Sequence, residues 1–214
     1  MKSSRLTTLV LSILVLFIGC SSLMAQEPKQ PNTQTPNTQT PSKQTPSADA
    51  EPASKKYFTD VLLVNQNGEK MRFYSDLLQN RVVVINSFFA TCTGSCLPLN
   101  RNLEKLQRAL AGRMGESVYF ISISVDPTVD TPTSLKAYAK KLNAGPGWFF
   151  LTGDKENVDF ALHKIGQFVD DKNAHLNIFI IGNERTGLWK KAFGLAPDAE
   201  LLKVVESVLN DKGK

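Results

Sequence analysis

Residues 81–96 read RVVVINSFFATCTGSC, and the fold of the chain turns on this stretch. Arg81 to Ala90 is a nearly continuous apolar, β-branched run, which marks a strand buried on both faces. At its end stand Cys92 and Cys96, four residues apart. Beyond them Leu99, Leu103, Leu106 and Leu110 recur at helical spacing, and Gly112 stops the helix. The stretch is therefore a strand that delivers two cysteines to the start of a helix.

Moving outward, SVYFISIS (Ser117 to Ser124) is the next strand. Thr131 caps a helix with Pro132 at its first position, and Leu135, Tyr138 and Leu142 point inward from it. WFFL is a short strand, and Asp154 caps a helix built on Val158, Leu162 and Ile165 and closed by Gly166. LNIFIIG and LWKKAF form a hairpin around a Gly- and Asn-rich turn, and Pro197 opens a last helix with Leu201, Val204, Val205 and Val208. Upstream, FTDVLLV, the turn Asn65–Gly68 and EKMRF predict another hairpin. This order predicts an α/β class: a thioredoxin-like fold with an N-terminal β-hairpin and an inserted helix–strand. The βαβ half makes the strands at 81–89 and 117–124 parallel, with a right-handed crossover. Ligands in such sheets sit at the carboxyl ends of strands, where the cysteine loop lies.

The first 56 residues have a different character. Residues 1–25 read as an export signal, with Lys2 and Arg5 ahead of the short apolar core Leu9 to Gly19. FIGC (Phe17 to Cys20) is similar to a bacterial lipobox, in which Cys20 would be lipidated. LMA before Gln26 suits an ordinary signal peptidase instead, and an uncleaved anchor is the third reading. All three place the domain outside the cytoplasm. Residues 26–56 contain PNTQTPNTQTPSKQTPSADAEP, a near-repeat without large apolar side chains, and predict a disordered tether. Residues 57–214 are enough for one domain with a sizeable core. The formal net charge is +5. Most of it lies in the first 56 residues, which hold six basic and three acidic side chains, so nothing suggests nucleic acid.

With Cys20 in the signal region, Cys92 and Cys96 are the only cysteine pair of the domain. Three readings compete. A structural disulfide across so short a gap would remove little unfolded-state entropy. A redox pair is favoured by the helix N-terminus, which lowers a thiol pKa. Yet thioredoxin-like oxidoreductases place two residues between their cysteines, not three, and a cis-proline before the facing strand, where NAHLNIF has no proline. A soft-metal site is the third reading, since two thiolates on one side of a helical turn can share an ion, and an imidazole would complete a copper set. Only His163 and His175 are available. His163 sits on a helix surface near its C-terminus. His175 enters a strand antiparallel to residues 81–89 and so arrives beside the cysteine loop.

Together these segments resemble the Sco/SenC family of copper proteins, which joins a thioredoxin fold to C-x-x-x-C and a distant histidine. The likeness runs through residues 63–96, through ISISVDPTVDTPTSLKAYAKKL, WFFLTGDKENV and HLNIFIIGNERTGLWKK, and covers essentially all of 57–209. The resemblance implies that Cys92, Cys96 and His175 bind one copper, Cu(I) or Cu(II). The cysteines would form a redox-active pair that a Cys92–Cys96 disulfide closes. It implies no catalytic residue beyond them. Asp126 and Asp130 match the acids of a DPxxDTP motif: Asp126 is expected to support the site from behind the ligands, Asp130 to serve the local turn and cap. Thr93, Leu97 and Ala174 stand where family members often carry Pro, Pro and an acid. The implied role is a metallochaperone that helps mature the binuclear copper centre of cytochrome c oxidase. The alternative is a thiol–disulfide oxidoreductase that reduces partner cysteines in the bacterial envelope. Implied partners are the copper-bearing subunit of a haem–copper oxidase, a copper donor protein and a thiol reductant. The implied location is the periplasmic side of the cell envelope, tethered to the membrane by an N-terminal lipid or anchor.

Overall fold

The computed structural model describes residues 52–213. The signal, the lipidation candidate Cys20 and nearly all of the expected tether lie outside them.

Among the described residues seven strands form one sheet, in the order β2-β1-β5-β4-β3-β6-β7. β3 (Val82–Phe88) is central, and all seven of its residues are buried, as its apolar run requires. β4 (Val118–Ser124) and β5 (Trp148–Thr152) run parallel to it, while β6 (Ile178–Asn183) runs antiparallel on its other side and pairs with β7 (Leu188–Phe193). The N-terminal hairpin, β1 (Leu62–Asn65) and β2 (Lys70–Arg72), adds to β5. Alternate residues of β3 face opposite cores. Val82, Val84 and Phe88 pack with α2 (Cys96–Ala109), α3 (Pro132–Lys141) and α5 (Asp198–Leu209). Val83 and Ile85 pack with α4 (Lys155–Lys164) and with Phe58 of α1 (Ala53–Phe58). The thioredoxin-like plan with its added hairpin and its inserted helix and strand is thus present.

Two local differences from the sequence reading have clear causes. The stretch that begins FTDVLLV does not enter β1 until Leu62, because Ala53–Phe58 is already helical and Thr59 turns the chain at φ +59°. This helix starts within the last residues assigned to the tether and is fastened by Ser54, whose hydroxyl donates to Glu184 at 2.7 Å. Likewise β2 ends at Arg72, and Phe73–Leu78 coils into a π-helical turn. Asp76 accepts from the Arg72 backbone N–H at 2.7 Å, and Asp60 accepts from the Ser75 N–H and hydroxyl at 2.7 and 2.6 Å. These acids bend the chain so that Phe73, Tyr74, Leu77 and Leu78 are all buried, which a strand with alternating faces could not do.

The edge of the sheet that carries the cysteines is held open by side chains. The β3–β6 ladder stops at the pair Ile85–Ile180. Past it, buried Gln167 accepts from the Ser87 N–H (3.0 Å) and hydroxyl (2.6 Å) and donates to the Ile178 carbonyl (3.0 Å). The two strands stay joined through this amide while their backbones part, which leaves room between the end of β3 and the approach to β6. Under α2, Asn86 donates to Asn100 (3.0 Å), Asn100 donates to the Tyr138 hydroxyl (3.1 Å), and Ser122 donates to Asn86 (2.7 Å). These polar atoms are buried yet partnered, so they set the position of the helix that begins at Cys96 rather than weakening the core.

Candidate metal centre

Cys92, Cys96 and His175 meet at that open edge, with one ligating atom from each lying within 4.8 Å of the others. Among the described residues no other group of three or more His, Cys, Asp or Glu side chains meets this description. Three segments converge here. Cys92 follows the end of β3, with its N–H donating to the Phe89 carbonyl at 3.2 Å. Cys96 is the first residue of α2 and fully buried. His175 closes a 3-10 turn, Lys172–Ala174, which Asp171 caps by accepting from the Asn173 N–H.

The imidazole tautomer follows from its partners. Nδ1 faces the Lys172 carbonyl at 3.1 Å, and a carbonyl can only accept, so Nδ1 carries the proton. In the neutral ring, Nε2 then presents its lone pair to the Cys96 sulfur, 3.0 Å away. Burial lowers the His175 pKa, against the opposing pull of the Lys172 carbonyl, and keeps the ring neutral at neutral pH. Burial also pushes the Cys96 thiol well up, and the hydrogen bond with Cys92 adds to this. Both cysteines are unbridged thiols. Capture of a soft ion would therefore have to displace at least one proton, which makes it pH-dependent.

The two acids of the SVDPTVDTP stretch act at a distance. Asp130 is only 1 % exposed and does more than the expected turn chemistry. It accepts from the Ser124 hydroxyl at 2.6 Å and from the Ala90 N–H at 3.0 Å, and so pins the head of the cysteine loop. Capping of α3 falls to Thr131, which accepts from the Ser134 N–H. Burial raises the Asp130 pKa, although Ser124 and Ala90 pull the other way. Asp126 meets no ligand directly. It binds the Lys172 ammonium at 2.6 Å, and Lys172 is the residue whose carbonyl orients His175. Lys172 itself carries no motif and was not singled out by sequence. Its position three residues before the histidine, in a turn capped by Asp171, was the available signal. His163 is exposed on α4 and stacks on Phe168 at 3.9 Å, far from this role. Trp189 packs against Phe58 and covers Gly182, where a β-carbon would lie 2.2 Å from its ring.

A family model described as SCO1/SenC matches residues 49–183, a span that holds all three converging side chains. A SCO1/SenC family lipoprotein from Bacillus anthracis is 27% identical to the chain, with a TM-score of 0.60, over 69% of this chain and 91% of its own. BsSco, described as a member of the Sco family of cytochrome c oxidase assembly proteins with a disulfide switch, is 26% identical, with a TM-score of 0.59, over 71% and 92%. Yeast Sco1, solved with copper bound, shares the fold at 22% identity and a TM-score of 0.58, over 71% and 91%. With more than half its length matched and the cysteine and histidine segments inside the match, the chain belongs to the SCO1/SenC family.

Proposed function

We propose that this chain binds one copper ion through Cys92, Cys96 and His175 and serves in assembling the binuclear copper centre of cytochrome c oxidase. The observation that carries the reading is the convergence of two thiols and one neutral imidazole within 4.8 Å. Thiolate and imidazole donors suit copper, whereas harder ions prefer oxygen. The relatives point the same way: one was solved with copper, and another belongs to a group of oxidase assembly proteins. Copper is cargo here. The buried Cys96 and His175 hold it from the protein side, and the more accessible Cys92 is where a partner's ligand would enter to exchange it. Oxidation to a Cys92–Cys96 disulfide removes both thiolates and would release the ion, so loading requires the dithiol form.

The partners are the copper-bearing oxidase subunit, a copper donor and a thiol reductant. The lipobox-like FIGC at Cys20 and the Pro- and Thr-rich stretch after it favour a domain on the periplasmic side of the cell envelope, tethered by a lipid or anchor. A lipoprotein among the relatives supports the membrane tether. No helix among the described residues is long and apolar enough to cross a membrane.

Anaerobic titration of the reduced chain tests the function. One copper per chain, with a strong Cu(II)–thiolate absorption band, is expected. Absence of saturable binding, with the pair cycling freely between dithiol and disulfide, would leave thiol–disulfide exchange as the activity.

A further inference from the structure

We infer that the Lys172–Asp126 ion pair sets the electrostatic poise of the copper centre, with Lys172 as the positioning residue for His175. The inference rests on the copper reading and adds to it a residue that lies outside the ligand set. Three contacts place Lys172. Its carbonyl accepts a hydrogen bond from the His175 Nδ1–H at 3.1 Å and so turns Nε2 toward Cys96. Its ammonium is held by Asp126 at 2.6 Å and lies 5.2 Å from the centre of the Phe89 ring. That ring in turn packs edge-on against His175 at 5.7 Å. Backbone, ammonium and imidazole of one short turn are thus locked together.

The two charges are not equivalent. Between the cysteine loop and the histidine turn lies a cavity of ≈ 470 Å³, and among the described residues Lys172 is the only charged side chain that lines it. Asp126 stands behind Lys172 and outside that lining, its side chain 11% exposed against 39% for Lys172. The site therefore faces a cation whose counter-charge is set back. A nearby positive charge disfavours Cu(II) relative to Cu(I), because the oxidised ion carries one charge more. Lys172 in place should favour the reduced ion, and Asp126 should moderate that preference.

Two substitutions break the same contact and separate charge from structure. Lys172→Met removes the cation and leaves the Asp126 carboxylate uncompensated, so the Cu(II)/Cu(I) potential should fall. Asp126→Asn removes the nearest anion and leaves the ammonium less compensated, so the potential should rise. Each change should alter the ratio of Cu(I) to Cu(II) affinity on the order of tenfold, the size expected of one unit charge near a partly solvated centre. Lys172→Arg should stay close to the parent. The measurement is redox titration of the copper-loaded whole chain, followed through the Cu(II)–thiolate band. A role confined to holding the turn predicts shifts in one direction for both variants, and that result, or no shift in either, overturns the inference while leaving copper binding intact. A parent chain that binds no copper overturns both readings.

Discussion

Two acids at opposite ends of the sheet, Glu184 just after β6 and Asp130 in the loop between β4 and α3, behave in opposite ways. At the far end, Glu184 follows the strand and collects three donors: the Ser54 and Tyr74 hydroxyls at 2.7 and 2.8 Å and the Asn80 N–H at 2.8 Å. Burial alone would raise its pKa, yet these donors win and the pKa is lowered. At the end that carries the cysteine loop, Asp130 has only Ser124 and Ala90 as hydrogen-bond donors, and burial wins. One end is fastened by saturated polar contacts that tie α1 and the π-helical turn to the sheet. The other is held by contacts spread among a cysteine loop, a histidine turn and the acid-bearing loop between β4 and α3, and its buried acid collects fewer donors. The candidate metal centre sits at the end whose buried acid is less fully satisfied.

The largest expected effect separates the two histidines. His175→Ala should weaken copper retention by more than the roughly 10- to 100-fold typical of losing a supporting group behind a ligand, whereas His163→Ala should leave it unchanged. Equal losses in a competition assay against a copper chelator would remove His175 from its place at the centre.

Next comes the buried acid of the site end. Asp130→Ala should cost about 1–3 kcal/mol in urea unfolding, because the Ala90 N–H and the Ser124 hydroxyl lose their acceptor inside the protein. A loss as large as that for Glu184→Ala would mean that the acid with fewer donors ties its end as firmly as the other.

The sharpest test of the comparison is its pH dependence. Glu184 is more acidic folded than unfolded, so its stabilisation is complete above its unfolded pKa of about 4.3 and is lost as pH falls through the folded value. Glu184→Gln should therefore narrow its deficit against the parent as pH drops. Asp130 is less acidic folded than unfolded. Its ionisation begins to disfavour the fold once pH rises past about 3.9, and the full cost is reached above the folded pKa. Asp130→Asn should thus compare best with the parent near neutral pH and worst in acid. Parallel pH profiles for the two variants would erase the distinction.

The smallest effect is on Lys172. Its bridge to Asp126 is partly solvated, so Lys172→Met should change unfolding free energy by less than about 1 kcal/mol even as it moves the copper potential.

Much of this was readable from the chain. The all-apolar run at 82–85 announced a central strand, and Thr131 and Asp154 announced helix starts that the structure bears out. The approach of His175 to the cysteines followed from the strand direction that the thioredoxin-like fold imposes. The π-helical turn did not follow, because FYSDLL carries no helical signal of its own and coils only where Asp60 and Asp76 reach its backbone. Nor did the reach of Asp130, whose partner Ala90 is 40 residues away in sequence.

The sequence by itself determined the main strands and helices, their order and the three candidate side chains, since periodicity and caps are local properties that survive in any context. Only the tertiary structure decided which nitrogen of His175 faces the sulfur, which way each acid titrates and which lysine borders the centre. Those outcomes depend on burial and on donors supplied by distant segments, and neither exists until the chain has closed around them.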